Sequence, residues 1–207
     1  MRKRPVWGLL ALILLVPPSQ GAMAARSVDE PTAPEALQGQ LLVADPQLGD
    51  PNFDHTVVLI LQHDAGGTVG VVVNRPYGEA PTAELLRRLG VGADGIAGQT
   101  KLFYGGPVQS ELGLVVHSAD YALGDTHPVG PGLAVTSDPA ILKDIATGKG
   151  PHQALPVLGY AGWGPGQLES ELAQGAWFVV PPDPALIFAP DASGTWQRAI
   201  DRRGIEL

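Results

Sequence analysis

Two dense β-branched runs, set close together, limit what this chain can fold into. Thr56 to Gln62 reads Thr-Val-Val-Leu-Ile-Leu-Gln, and Val69 to Asn74 reads Val-Gly-Val-Val-Val-Asn. Between them lies His63-Asp64-Ala65-Gly66-Gly67-Thr68. Two strand-like runs around a short Gly-Gly connection predict an antiparallel hairpin. Neither run alternates apolar with polar residues, so both faces of each strand need cover. The hairpin therefore belongs at the centre of a sheet packed on two sides. A purely parallel doubly wound sheet is excluded, because its neighbouring strands need long crossovers.

The other elements arrange themselves around that hairpin. Leu41 to Ala44 is a short strand stopped by Asp45-Pro46. Pro81 to Gly90 reads as a helix, with Leu85, Leu86 and Leu89 on its apolar face and Gly90 as its stop. Lys101 to Tyr104 and Gly113 to His117 are short strands flanking Gly105-Gly106-Pro107-Val108, and Leu133 to Thr136 is another. Ser137-Asp138-Pro139 opens a second helix through Ile145 and Ala146, with Ser137 expected as its N-cap. Leu155 to Tyr160 is a strand, Gln167 to Ala173 a helix and Ala176 to Val180 a strand. Pro184 to Phe188 and Thr195 to Arg203 are expected as closing helices. Strands and helices interleave around at least one hairpin, so the expected architecture is α+β with a mixed sheet (mixed α/β). The 27 Gly and 20 Pro fall at turns, which marks a loop-rich fold rather than low complexity.

The front of the chain has the order of an export signal. A basic Met1-Arg2-Lys3-Arg4 precedes an uncharged, Leu-rich run from Val6 to Val16, and Ala22-Met23-Ala24 supplies an A-x-A site. Residues 1–24 read as a signal peptide cleaved between Ala24 and Ala25. As a helix the apolar run rises about 16 Å, well short of the ~30 Å hydrocarbon core, so it is no membrane anchor. The expected location is periplasmic or secreted, free of the membrane after cleavage. A start at Met23, giving a cytoplasmic protein, is the alternative. Residues 25–38 are polar, carry Pro31 and Pro34, and read as a flexible linker; 39–207 form the domain. The whole chain has net charge −8, and losing Arg2, Lys3 and Arg4 makes it more acidic still. Such a surface repels phosphate backbones, so no nucleic-acid partner is expected. With no cysteine, disulfides, thiol nucleophiles and thiolate metal sites are excluded.

No complete catalytic pattern stands out. The histidines are His55, His63, His117, His127 and His152, and none lies three or four residues from another, so no helical metal pair exists. His63-Asp64 with His117 would make a zinc-like donor set. The plainer reading is a turn start and a strand end, and no metal or cofactor is expected. Ser118 and Ser137 lie outside any Gly-x-Ser-x-Gly elbow. Asp45, Asp50 and Asp54 with Asn52 lack the central Gly and final Glu of a calcium loop, and read as turn formers. Gly159-Tyr160-Ala161-Gly162-Trp163-Gly164-Pro165-Gly166 reverses the glycine order of a dinucleotide fingerprint. Trp163 and Pro165 stand where a phosphate cradle wants small residues and free N–H groups. Close backbone packing around Trp163 is the favoured reading.

Four blocks carry a family resemblance. They are Gly39-Gln40-Leu41-Leu42-Val43-Ala44-Asp45-Pro46; Asp50-Pro51-Asn52-Phe53 through Thr56-Val57-Val58-Leu59 and His63-Asp64 to Asn74-Arg75-Pro76; Gly105-Gly106-Pro107-Val108; and Leu158 to Glu171 around Trp163. In order and spacing they resemble the YqgE/AlgH family from about Gly39 to the C-terminus. The resemblance implies one domain with a twisted mixed sheet, flanking helices and a smaller β-rich lobe. It brings a transcriptional-regulator label but no agreed catalytic residues, so none is assigned. Relatives are generally cytoplasmic and start near Gly39, so residues 1–38 are an addition. An exported form would not act directly on transcription.

Three functions compete. The first is a non-catalytic binding or regulatory module for a small molecule or a protein. Its cleft would be built by the loops 50–54, 74–76, 105–108 and 160–167, with Asp50, Asn52, His63, Asn74, Arg75, Gly105, Gly106, His117, Tyr160 and Trp163 as candidate residues. The alternative is an enzyme using Asn52, His63, Asn74, Arg75 and His117. A transcriptional regulator ranks last, for want of a helix-turn-helix with a basic recognition face. A carboxylate within about 3 Å of His63 or His117, in a pocket, would favour the enzyme.

Overall fold

A computed structural model describes residues 37–202. The segment expected as a signal peptide, the cleavage expected between Ala24 and Ala25, and the expected linker as far as residue 36 lie outside the described residues. The strands are β1 (Leu41–Ala44), β2 (Val57–Asp64), β3 (Gly67–Val72), β4 (Pro76–Pro81), β5 (Gln99–Tyr104), β6 (Val108–Ser118), β7 (His127–Gly130), β8 (Leu133–Thr136), β9 (Ala154–Trp163) and β10 (Trp177–Val180). Among the described residues five short helices are interspersed: α1 (Thr82–Arg88), α2 (Ala140–Ala146), α3 (Gln167–Ala173), α4 (Pro184–Ile187) and α5 (Thr195–Ile200).

The hairpin forms with a tighter turn than the sequence suggests. β2 and β3 pair antiparallel out to His63 opposite Thr68 and Asp64 opposite Gly67, leaving Ala65-Gly66 as the turn. His63 and Thr68 are therefore strand residues, not part of a connection. Asp64 fixes the turn by accepting the Gly66 N–H at 2.6 Å. The bond from the Gln62 amide, followed by that from Gly66, holds the Asp64 carboxyl below the usual carboxylate range. Val57 and Leu59 enter one core cluster, and Val58 and Ile60 enter another across the sheet. All four are fully buried, so β2 is covered on both faces.

Strand order runs β10-β1-β2-β3-β9-β6-β8-β7, with β4 attached through β5 to β9. The pairings are antiparallel except for β5 with β9. The result is a mostly antiparallel, sheet-dominated α+β fold with few helices. β9 is its hub. Its last residues, Ala161 to Trp163, pair with β3; Val157 and Leu158 pair with β5; its other edge carries β6. α3 packs Leu168 against Val58, Ile60 and Trp163. Leu186 and Ile187 of α4 and Ala199 of α5 join the main core with Leu41, Leu59 and Val116. Leu86 of α1 and Ile141 and Leu142 of α2 cover Val115 of β6. No helix among the described residues is long and apolar enough to cross a membrane.

Three local expectations are corrected. β9 continues past Tyr160 to Trp163, so Ala161 to Trp163 are strand rather than loop. β4, Pro-Tyr-Gly-Glu-Ala-Pro, and β7, His-Pro-Val-Gly, are strands that their Pro and Gly content hid. Both sit at the outside of the sheet, where a missing N–H is tolerated. Ser137 is not the cap of α2. Pro139 stands at the cap, and Asp138 accepts the Ala140 N–H at 2.9 Å. The Ser137 hydroxyl is drawn instead to Asp125, which also receives the Thr136 hydroxyl and the Ser137 N–H. Burial pushes the Asp125 carboxyl up, but the bonds from Ser137 and Thr136 outweigh it and leave it lowered.

Candidate functional site

The Asp-Pro-Asn-Phe and Asn-Arg-Pro blocks meet at one corner. Asp50 Oδ1 accepts from Asn52 N at 2.8 Å and Asn52 Nδ2 at 3.0 Å, closing the turn. Asn74, buried where β3 has ended, accepts the Val57 N–H at 2.8 Å and donates Nδ2 to the His55 carbonyl at 2.9 Å. The Arg75 guanidinium donates to three loop carbonyls: Asn52 at 2.7 Å, Asp54 at 2.9 Å and Pro51 at 3.3 Å. It also lies 5.8 Å over the Tyr104 ring. Burial raises the Tyr104 phenol, with Arg75 opposing and Asp50 adding. Asp50, Asn52, Asn74 and Arg75 are thus brought together, and their bonds hold the loop's own backbone.

The glycine blocks cross next to this corner. Gly105 passes its carbonyl to Val72 N at 2.8 Å and its N–H to Leu158 O at 2.7 Å, bridging β3 and β9. A Cβ on Gly105 would strike the Gly159 carbonyl, and one on Gly106 the Tyr160 carbonyl carbon. Two backbones touch here with no room between them.

Trp163 stands on β9 under α3. Its indole N–H and that of Trp177 both donate to Glu171 Oε2, at 2.9 and 2.8 Å, while Gln167 Nε2 donates to Oε1 at 2.9 Å. Phe53 stacks on Trp163 at 6.0 Å and meets Trp177 edge-on at 5.4 Å. This cluster binds the first loop, α3 and β10 to one place. Close by, buried His63 reaches Thr68 Oγ1 from Nδ1 at 2.6 Å, and its Nε2 is 3.5 Å from Glu169 Oε1.

His117 lies elsewhere. It shares a face of β6 with Val115, under α2, and meets Tyr121 edge-on at 5.9 Å. Its Nδ1 donates to the Ser118 carbonyl at 2.8 Å, while Nε2 is buried without a hydrogen-bond partner among the described residues. The Tyr121 hydroxyl donates to Asp144 at 2.5 Å, and burial together with that carboxylate pushes the phenol up to about 12. Among the described residues, no three His, Asp or Glu side chains group closely enough to hold a metal ion.

A different feature holds open space. A cavity of about 470 Å³ is lined by Leu61, Leu112, Leu114, Val129, Val135 and Tyr160, among others. Of the ten candidate residues only Tyr160 reaches it. Three strand irregularities converge on it. In β2, Ile60 faces Gly70 and Gln62 faces Val69, so Leu61 is an extra residue. In β7, Pro128 faces Ala134 and Gly130 faces Leu133, so Val129 is extra. In β6, Val108 faces Tyr160 and Gly113 faces Leu158, so residues 109–112 stand opposite Gly159 alone. Leu61, Val129, Gln109 and Leu112 all line the cavity. Sequence reasoning missed them because bulged aliphatic residues read like any other strand residues, and register is not visible before the strands pair.

Comparison with known proteins agrees on one family. The AlgH-like family profile matches residues 41–207. A UPF0301 protein of Afipia carboxidovorans is 44% identical over 179 residues, covering 83% of this chain and 85% of its own. One from Methylococcus capsulatus is 39% identical, covering 86% and 98%. The solution structure of the AlgH protein from Pseudomonas aeruginosa superposes with TM-score 0.70 at 36% identity, over 86% of this chain and 94% of that one. A Corynebacterium diphtheriae protein shares the fold, with TM-score 0.66 at 22% identity over 87% and 92%.

Proposed function

The chain belongs to the AlgH-like family, and on that footing we propose that it is a non-catalytic binding module whose ligand enters the cavity framed by Leu61, Leu112 and Val129. The observation that carries this reading is the convergence of three strand irregularities on one aliphatic cavity. Each bulge gives up ladder pairing and bends its strand, and such features cluster beside functional sites. The volume, about 470 Å³, falls in the range of small-molecule pockets. Asn74, Arg75 and Glu171, by contrast, spend their polar atoms on the protein's own backbone and indoles. A regulatory role would then run through the ligand, since a net charge of −8 repels nucleic acid.

Protein-observed NMR with a fragment library tests the reading. Shift changes should cluster at Leu61, Leu112 and Val129 and vanish in Leu112→Trp, which fills the space. Hits scattered over the surface, or surviving in the filled variant, would count against it.

An enzyme is kept as the second reading on one arrangement, although its carboxylate stands 3.5 Å from His63 and not within about 3 Å, the reach expected of a general base's partner. His63 stands between the Thr68 hydroxyl and the Glu169 carboxylate, the order that activates a hydroxyl nucleophile. His63 is 5% exposed and Thr68 3%, which suits a structural link better. Hydrolysis of an activated ester by the wild type, lost in Thr68→Val, would make this reading the stronger one.

The front segment supports a proposal of export. Protein recovered from the periplasm of its host should start at Ala25 by N-terminal sequencing. Recovery from the cytosol with a start at Met23 or Ala24 would refute it.

A further inference from the structure

We propose that the cavity takes the chain of a neutral aliphatic amphiphile, an acyl amide or ester, in preference to the corresponding ion. This rests on the binding-module reading and names the ligand class of that same cavity. The walls are branched and aliphatic: Leu61, Val69, Leu112, Leu114, Val129 and Val135. No Asp, Glu, Lys or Arg is among the residues that line it. A charged group drawn in among these walls would lose its water and meet no carboxylate, ammonium or guanidinium partner, whereas an aliphatic chain loses nothing by leaving water.

The polar groups at the cavity fit a neutral head. Gln62 Nε2 is already committed to Asp64 Oδ2 at 2.6 Å, and Gln38 Nε2 reaches the Pro128 carbonyl at 3.4 Å. Gln109, exposed, and Tyr160, half-buried, also line the cavity, and neither side chain has a hydrogen-bond partner among the described residues. An amide and a hydroxyl offer both donors and acceptors, which suits a carbonyl beside an N–H or an ester oxygen. Gln109 also holds φ at 48°, and His55 is the other non-glycine residue at positive φ among those described. A side chain in that region is held there at a cost, and such strain gathers at ligand clamps. His127, exposed in β7, is the one ionisable imidazole on the lining.

The test uses the mature protein, isothermal titration and amide-shift mapping with three eight-carbon probes: octanamide, octanoate and octylammonium. Octanamide should bind saturably and at least tenfold more tightly than either ion, shifting Leu61, Gln109 and Val129. Gln109→Gly should weaken octanamide several-fold by removing the amide, and Leu112→Trp should abolish binding. Val129→Phe is the second filling variant should Leu112→Trp not fold. Equal or tighter binding of octanoate or octylammonium at the same residues overturns the ligand class and leaves the binding module standing. No saturable shift at these residues with any probe overturns the ligand class too, and the fragment screen then decides whether the module reading falls with it.

Discussion

Gly106→Ala will cost about 4 kcal/mol or more of stability, at the upper end of what a single substitution does. Gly106 has φ of 152°, and a Cβ there would run into the Tyr160 carbonyl group and the Ala161 nitrogen. The three nearest atoms it would meet are all backbone of β9. They cannot swing aside as the end of a side chain would. β9 is also held by β3, β5 and β6, so it cannot retreat without breaking ladder bonds on both edges. Gly105→Ala meets the Gly159 carbonyl and should behave in the same way. Gly132→Ala is the control. Its φ is 72°, but nothing stands within 4 Å of the added methyl, so only the backbone conformation is penalised, by about 1–2 kcal/mol. At about 2–4 °C per kcal/mol for a domain of this size, thermal melting should place Gly106→Ala roughly 5 °C or more below the control. Melting of the two variants within 2 °C of each other would show that the crossing is looser than its geometry.

That crossing illustrates what the chain disclosed before folding and what it withheld. The apolar runs of β2 and β3 announced central strands because they carry no polar face, and both faces are indeed packed. α3 is found over the span expected, Gln167–Ala173, since Leu168 and the flanking glutamates have a helical pattern with nothing to contradict it. The glycines near Tyr160 misled for a physical reason. Glycine signals a turn when judged locally, yet Gly162 belongs in β9, where it pairs with Val69 of β3. β4 and β7 were hidden for the opposite reason: they gain their strand character from a neighbour, not from their own side chains.

The candidate site was legible only in part. Polar residues in loops attract attention, and Asn52, Asn74 and Arg75 do gather in one corner. What the sequence could not say is where their donors point. Three of the Arg75 bonds end on carbonyls of Pro51, Asn52 and Asp54, which a residue pattern cannot reveal. The cavity is the converse case. Leu61, Leu112 and Val129 are ordinary in composition and special only through the register of β2, β6 and β7.

Glu171→Ala should cost about 3 kcal/mol and loosen α3 without closing the cavity. The carboxylate is the acceptor for both Trp163 and Trp177, residues that are 6% and 3% exposed. Removing it leaves two indole N–H groups in an apolar cluster with Phe53, where water reaches them poorly. Bonds to a charged acceptor contribute about 1.5–3 kcal/mol each, and two that share one oxygen fall short of the full sum. Glu171→Gln keeps a carbonyl acceptor and should recover about half of the loss. Near-ultraviolet circular dichroism should weaken in the alanine variant, because the packing of Trp163 on Phe53 and Trp177 is then free to relax. Octanamide affinity should stay within twofold of wild type in Glu171→Gln, since neither Glu171 nor Trp163 lines the cavity and Tyr160 does. A Trp177→Phe background supplies the decisive measurement. There one of the two indole donors is already gone, so Glu171→Ala should cost markedly less than in the wild type. An undiminished cost in that background would mean that the carboxylate acts through α3 alone and that the shared indole acceptor contributes little.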